Sequence, residues 1–144
     1  MKKLILSAFI LDQACKYWVN RNIRVGESRK SLIPKMNITN IKNEGMAFGV
    51  LSDKRLMLCV FSIFGLIGIF YEYRRARGFE KLGAALMAGG GISNVYDRLV
   101  KGEVTDYMYF ESNRSSPVFN LADVFVLMGC VISMAARRVV DRKH

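Results

Sequence analysis

The sequence is poor in the residues on which most hydrolytic and metal sites depend. Its only histidine, His144, is the last of 144 residues, which argues strongly against catalytic triads that use imidazole and against histidine-ligated metals. Cys15, Cys59 and Cys130 stand singly within apolar stretches without CxxC spacing, so neither a disulfide framework nor a zinc knuckle is expected. No metal or cofactor is predicted, and any hydrolytic chemistry must use other groups.

The composition points to a membrane protein instead. Hydrophobic residues make up 51% of the chain and charged residues 24%, which is too apolar for disorder, and the apolar residues are bunched. The formal net charge of +10 suggests an anionic partner, either nucleic acid or lipid headgroups. Because the basic residues flank the apolar segments, we predict contact with membrane lipids and no binding of nucleic acid.

Four apolar segments carry the fold prediction, at about 4–20, 56–73, 81–99 and 118–136. As helices of roughly 16–19 residues they would be about 24–28 Å long, close to the thickness of a bilayer core. Only residues 56–71 are wholly uncharged, so the prediction depends on the set of four. We expect a mainly α, integral membrane protein with four transmembrane helices, forming one domain over residues 1–144.

The first segment raises a processing question. It follows two lysines, as a signal peptide would, but Asp12, Gln13 and Lys16 interrupt its apolar region and no small-x-small cleavage site follows. We therefore expect an uncleaved first span. Basic residues are densest at 2–3, 74–81 and 137–144, which predicts that both termini are cytoplasmic and that residues between the first two spans are not.

The long stretch at about 23–54, between the first two spans, carries a strand pattern. After Pro34, the residues Met36–Thr39 alternate apolar and polar side chains, as a half-buried strand does. We predict a small β element at the membrane surface. Residues 43–49 combine turn-forming residues with an apolar centre, which fits either a hairpin loop or a segment dipping into the interface. Phe48 and Met46 are candidates either for a mobile flap or for plain anchoring in the interface.

Ionisable side chains inside apolar segments are costly and need a partner or a purpose. Asp12 and Lys16 are spaced i, i+4 and can pair along one helix face. Near the end of the third segment, Asn94 and Asp97 are i, i+3 neighbours, and Arg98 can clamp a carboxylate. An aspartate beside an arginine stays ionised, which favours a structural role for Asp97.

Two further carboxylates are candidates for a catalytic role. Asn120 and Asp123 repeat the Asn-x-x-Asp spacing near the start of the fourth segment, and Asp106 follows the third, so Asp106 and Asp123 can meet at one depth. With no histidine and no catalytic serine or cysteine motif, two carboxylates sharing a proton are the most economical hydrolytic device, one acting as base on a water and the other as acid. Titration then belongs to the pair.

In their order along the chain, these residues resemble the motifs of lipoprotein signal peptidase, or signal peptidase II, the A8 family of aspartic peptidases. The matching stretches are Asp12-Gln13-x-x-Lys16, Asn43-x-Gly45-x-Ala47-Phe48-Gly49, Asn94-x-x-Asp97-Arg98 with Gly102-x-Val104-x-Asp106, and Phe119-Asn120-Leu121-Ala122-Asp123. The resemblance covers nearly the whole chain. Ser93 departs from it where a glycine is common, and Thr105 replaces the usual aliphatic residue before the aspartate.

The resemblance implies a four-span aspartic endopeptidase of the bacterial plasma membrane with an extracytoplasmic β cradle and a short interfacial helix. Such an enzyme cleaves signal peptides from diacylglyceryl-modified prolipoproteins before the lipidated cysteine, acts as a monomer and uses no cofactor. The catalytic dyad would be Asp106 and Asp123, near the extracytoplasmic face. Positions that support or line the site would be Asp12, Lys16, Asn43, Gly45, Asn94, Asp97, Arg98, Asn120 and Ala122.

Two other classes of protein also explain buried aspartates and asparagines. A small proton- or ion-coupled transporter would use them to carry charge, but it gives no reason for four ordered motifs. A structural membrane protein would use them to hold helices together. It predicts that Asp106→Asn alters folding or association and no cleavage reaction.

Overall fold

The computed structural model describes residues 1–43, 53–111 and 116–141. In chain order these residues form α1 (Lys2–Asn22), β1 (Ser28–Lys30), β2 (Met36–Asn43), α2 (Asp53–Arg75), α3 (Gly78–Tyr96), β3 (Val104–Phe110) and α4 (Leu121–Asp141). A π-helical turn at Asp97–Lys101 continues α3 and ends at Gly102, whose φ of 81° is the left-handed conformation that glycine adopts readily. This turn leads the chain from α3 into β3.

The ends of the four long helices agree with those of the four predicted apolar segments to within about five residues. The largest difference is at the C-terminal end of α4, which extends to Asp141. The fourth helix begins at Leu121 instead of 118, because Phe119 forms an antiparallel bridge with Met108 of β3. Within the described ranges, one helix is long and apolar enough to cross a membrane, over Met57–Arg75 with mean hydropathy 1.4. Membrane crossing by the other three helices stays a prediction.

Small residues bring α3 close to its neighbours. Ala84, Ala85 and Ala88 of α3 are almost fully buried, and α3 contacts α1, α2 and α4. At Gly90 the fit is tightest, because a Cβ there would collide with the backbone carbonyl oxygen of Ala122 in α4. Lipid tails are as apolar as leucine, so close backbone packing is a main source of helix association in a membrane.

We expect Gly90→Ala to destabilise the fold by about 1–3 kcal/mol, as overpacking does. The added methyl group would push the start of α4 away from α3, since the atom that it meets belongs to the backbone. Gly68→Ala in α2 is the matched control, because a Cβ there has open space around it. Thermal unfolding in detergent measures the difference, and equal melting temperatures for the two variants would contradict the packing argument.

A three-stranded antiparallel sheet in the order β1-β2-β3 lies next to the C-terminal end of α1. Strands β1 and β2 confirm the β element predicted at 23–54, whereas the sequence did not predict β3. Val19 of α1 and Ile23, which directly follows the helix, pack with Tyr107 of β3, so the sheet is joined to the helices by an apolar core. The short interfacial helix is not among the elements of the described ranges, and 44–52 lies outside them.

Candidate active site

Asp123 lies in the first turn of α4 and is held by a reciprocal cap. Its backbone N–H donates to Asn120 Oδ1 at 3.0 Å, and Asn120 N–H donates to Asp123 Oδ2 at 3.1 Å. This is the geometry of a capping box, which satisfies backbone donors that the first helical turn leaves without partners. The Asn-x-x-Asp spacing therefore fixes the carboxylate of Asp123, which is itself exposed.

Asp106 reaches the same region from β3, where it lies opposite Ile41 of β2. Its Oδ1 accepts from Asn120 Nδ2 at 2.7 Å and its Oδ2 accepts from Asn43 Nδ2 at 2.8 Å, and the residue is 5% exposed. Burial raises the pKa of Asp106 above its usual range, and the negative charge of Asp123 raises it further, against the lowering effect of the two amide donors. One carboxylate is thus buried and the other accessible.

Asn94 of α3 completes a hydrogen-bonded link between the two aspartates. Its Nδ2 donates to Asp123 Oδ1 at 2.8 Å, while Asn120 Nδ2 donates to Asn94 Oδ1 at 3.2 Å. Since Asn120 also donates to Asp106, the two amides connect both carboxylates. The structure therefore brings together five of the predicted site residues: Asn43, Asn94, Asp106, Asn120 and Asp123.

Lys16 lies fully buried beneath this link. Its ammonium contacts Asp12 Oδ2 and Asp97 Oδ2, each at 2.7 Å, and donates to Asn94 Oδ1 at 2.9 Å. Two carboxylate oxygens and one amide oxygen thus surround the ammonium within 2.9 Å. The predicted pairing of Asp12 with Lys16 is confirmed, and Lys16 additionally holds the amide that contacts Asp123.

The expected pairing of Asp97 with Arg98 is wrong. The cations beside Asp97 are Lys16 and Lys101, the latter at 2.6 Å, whereas Arg98 donates from Nη1 to the carbonyl oxygen of Asn94 at 3.4 Å. Consecutive residues on a helix do not face each other. Asp97 therefore points toward α1, and Arg98 lines a groove between α2 and α3.

Asp12 ties three elements to α1. Its Oδ1 accepts from the backbone N–H of Ala122 at 3.0 Å and from the Tyr107 hydroxyl at 3.3 Å, and its Oδ2 accepts from Ser93 Oγ at 2.5 Å. Ala122 is completely buried where α4 meets Gly90, so only a small side chain fits there. Ser93, a departure from the family pattern, supplies a hydrogen bond that glycine would lack.

Tyr107, Gln13 and Lys101 support the site, although the predicted site residues do not include them and Gln13 enters the prediction only through the Asp12-Gln13-x-x-Lys16 motif. Gln13 Nε2 donates to Asp97 Oδ1 at 3.0 Å, and Lys101 Nζ donates to Gln13 Oε1 at 3.0 Å. Two of them could have been suspected from the sequence, because Gln13 directly follows Asp12 and Tyr107 directly follows Asp106. The unusual Thr105 is also explained, since its buried hydroxyl accepts from Lys42 Nζ at 3.0 Å. Gly45 lies outside the described residues.

We expect Tyr107→Phe to cost about 1–3 kcal/mol of stability, because a buried donor is left without an acceptor. The Tyr107 hydroxyl accepts from the backbone N–H of Leu121 at 3.1 Å while donating to Asp12. Burial raises the pKa of this hydroxyl, so it keeps its proton. Tyr109→Phe removes a hydroxyl from the half-buried ring two residues along β3 and is the matched control in thermal unfolding. Equal losses in the two variants would contradict this role.

A groove between α2, α3 and α4 opens onto Asp123. Its volume is about 470 Å³, within the range of ligand sites. Asp123 and Asn94 form its polar wall, and the apolar wall includes Leu66, Ile69 and Val126, with Gly91 among the lining residues. In the described part of the chain, no three His, Cys, Asp or Glu side chains are grouped to hold a metal ion. The arrangement offers two linked carboxylates beside an apolar groove.

The fold is that of a known membrane enzyme. Two solved structures, each described as a bacterial membrane enzyme determined by the in meso method, superpose on this chain with a TM-score of 0.82 at 28% sequence identity. The first alignment covers 98% of this chain and 89% of that one, and the second covers 92% and 88%. The chain is therefore a mainly helical bacterial membrane enzyme with a small sheet.

Sequence comparison identifies the family. A family model described as signal peptidase II matches residues 4–137. The lipoprotein signal peptidase of Halothermothrix orenii is 34% identical over 90% of this chain and 88% of its own length, and that of Wigglesworthia glossinidia brevipalpis is 31% identical over 94% and 92%. The chain belongs to the signal peptidase II family of aspartic peptidases, as its motifs predicted.

Proposed function

We propose that this chain removes signal peptides from diacylglyceryl-modified prolipoproteins, cleaving before the lipidated cysteine with a water activated between Asp106 and Asp123. The observation that carries this proposal is the hydrogen-bonded link through Asn120 and Asn94, which holds the two carboxylates in one site. The names of the related proteins support the substrate class. Both termini would be cytoplasmic, with four helices crossing the plasma membrane.

The two aspartates would divide acid and base work according to their surroundings. Asp123 is exposed to the groove, so it would be ionised and take a proton from the attacking water. Asp106 is buried and its pKa is raised, so it would carry the proton that passes to the scissile carbonyl oxygen. When the tetrahedral intermediate collapses, the C–N bond breaks and the proton that Asp123 gained would pass to the departing amine. One hydroxyl proton of the intermediate would return to Asp106 as the product carbonyl forms.

The surrounding residues would position the dyad and the substrate. Asn43 and Asn120 hold Asp106, while Asn94 and the cap hold Asp123. Lys16, Asp12 and Asp97 would act through Asn94 and the start of α4. The groove would receive small side chains at the end of the signal peptide, and the diacylglyceryl chains would lie against apolar helix faces. Gly45 and Arg98 would line the substrate path.

The test is cleavage of one prolipoprotein in two forms, with and without the diacylglyceryl group, by the purified protein in detergent. We expect a single cut before the lipidated cysteine, read by mass spectrometry, and little cleavage of the unmodified form. Added chelator is expected to leave the rate unchanged, since two carboxylates suffice. Inactivity on the lipidated form, or equal rates on both forms, would contradict the proposal and favour the transporter or structural alternatives.

Removing the Asn43 amide is expected to move the pH profile of cleavage. That amide donates to Asp106 and lowers its pKa, so Asn43→Ala should raise the pKa of Asp106 further. Because the proposed mechanism needs protonated Asp106, activity falls as pH rises through this pKa, and the alkaline limb of kcat/KM should move to higher pH. Asn37→Ala on the same strand, which breaks a bond to Glu111 instead, should leave the limb in place. A shift to lower pH would contradict the role of Asp106.

A further inference from the structure

A second groove lies at the opposite end of α3 from the aspartates. It has a volume of about 810 Å³ and is formed where α3 begins and α4 ends. Gly78 and Asn94 are separated by 16 positions on α3, which corresponds to about 24 Å along a helix. The groove is therefore remote from the proposed active site, and the mechanism gives it no role.

The walls of this groove are largely apolar and accessible. They are formed by Phe79, Ile132, Ala135, Ala136 and Val139. Phe79 is 74% exposed and Val139 is 59% exposed. Exposed apolar surface of this kind in a membrane enzyme faces hydrocarbon, and a concave surface suits an acyl chain better than a flat one.

The mouth of the groove carries positive charge. Arg75 and Arg77 line it, and within the described ranges no carboxylate lies within ion-pair distance of either guanidinium. Arg75 instead stacks over the Tyr71 ring, 4.5 Å from its centroid. The one acidic lining residue, Glu80, faces Arg137 Nε at 3.9 Å. Arg137 is shared with Glu72, and the two arginines at the mouth outnumber the single lining carboxylate.

The depth of these arginines matches a headgroup region. Arg75 is the last residue of the apolar stretch Met57–Arg75, which is long enough to cross a bilayer. A guanidinium at that level meets lipid phosphates, and its planar donors suit bidentate binding of phosphate oxygens. Apolar walls on one side and arginines at the membrane boundary on the other are complementary to the two halves of an anionic phospholipid.

We propose that this groove binds an anionic phospholipid, with one acyl chain against Phe79, Ile132 and Val139 and the phosphate held by Arg75 and Arg77. The site takes a resident lipid of the bilayer and is separate from the one that takes the prolipoprotein. Binding joins the start of α3 to the end of α4, the two helix ends that form the groove. It does not depend on the proposed cleavage reaction.

Native mass spectrometry of the purified protein in detergent tests the proposal, with dioleoylphosphatidylglycerol as the probe and dioleoylphosphatidylcholine as the neutral comparison. We expect one tightly bound phosphatidylglycerol per chain. Arg75→Gln with Arg77→Gln should weaken its binding roughly tenfold to thirtyfold, since each surface cation contributes a few-fold. Ala136→Phe keeps both charges but fills the groove, and it should also weaken binding.

The matched control is Arg29→Gln with Lys30→Gln, which removes two exposed cations from β1, outside the groove. This variant should bind phosphatidylglycerol within about twofold of the unmodified protein. Equal losses in the control, no effect of Ala136→Phe, or equally tight binding of glycerol phosphate without acyl chains would each overturn the proposal. A second protein copy in place of lipid would show as a dimer mass and would also overturn it. Thermal unfolding and cleavage activity of each variant confirm that the fold is intact.

Discussion

Asp123→Asn is expected to reduce the rate of prolipoprotein cleavage by about 10³-fold or more while leaving the fold intact. A positioned acid or base contributes roughly 10²- to 10⁴-fold to a reaction, and an asparagine cannot take the proton. Asparagine is a good residue at helix starts and can still accept from the Asn120 backbone N–H. The variant therefore separates chemistry from folding.

Asp106→Asn should be equally inactive but less stable. Both oxygens of Asp106 accept hydrogen bonds, from Asn120 and from Asn43. In the variant one of these oxygens becomes an NH₂ group, so two donors face each other in a buried place. We therefore expect the two variants to lose similar activity, and we expect Asp106→Asn to melt at a lower temperature than Asp123→Asn.

Single-turnover cleavage followed by mass spectrometry measures these losses, with Glu103→Gln as the control. Glu103 lies one residue before β3 and pairs with Lys42 at 3.4 Å near the surface, so its neutral variant should keep a rate within about twofold. A folded Asp123→Asn or Asp106→Asn variant that cleaves at the full rate would remove that aspartate from the mechanism. A comparable loss of cleavage rate in Glu103→Gln would show that removing any nearby negative charge slows the reaction, so the loss would not be specific to the two aspartates.

The helices could be predicted from the sequence because their signals are local. Apolar runs set their positions, and the pairing of Asp12 with Lys16 follows from i, i+4 spacing on one helix. Strand β3 has no comparable local signal, since its residues Val104–Phe110 pair with β2 more than sixty positions earlier. Short strands gain their stability from such partners, and a single sequence does not show which segments meet.

The two Asn-x-x-Asp patterns show the same limit within the site. They look equivalent in sequence, yet Asn120 and Asp123 form a helix cap, whereas Asp97 is turned toward Lys16 and only Asn94 contacts the dyad. The difference arises because one pattern begins a helix and the other ends one. The spacing singled out both pairs of residues. Their contacts depend on the place of each pair in its helix and, for Asp97, on the packing of α1 against α3.

Lys16→Met is expected to be the most destabilising change outside the dyad. Removal of one partner from a buried ion pair costs about 3–5 kcal/mol, because the remaining charge is left without compensation. Loss of Lys16 leaves Asp12 without its cation, while Asp97 keeps Lys101. For a chain of this size the melting temperature should fall by roughly 10 °C or more. Cleavage should fall as well, since Asn94 loses the donor that orients it toward Asp123.

The decisive comparison is Lys101→Met, because Lys101 also pairs with Asp97 but has a side chain 36% exposed, against 0% for Lys16. Water can replace an exposed ammonium, so its loss should cost about 1 kcal/mol or less. A double variant, Asp12→Asn with Lys16→Met, also removes the Asp12 charge that lost its cation and should recover part of the lost stability. Thermal unfolding in detergent orders the three variants, and a loss in Lys16→Met no greater than in Lys101→Met would show that the buried ammonium does not organise the site.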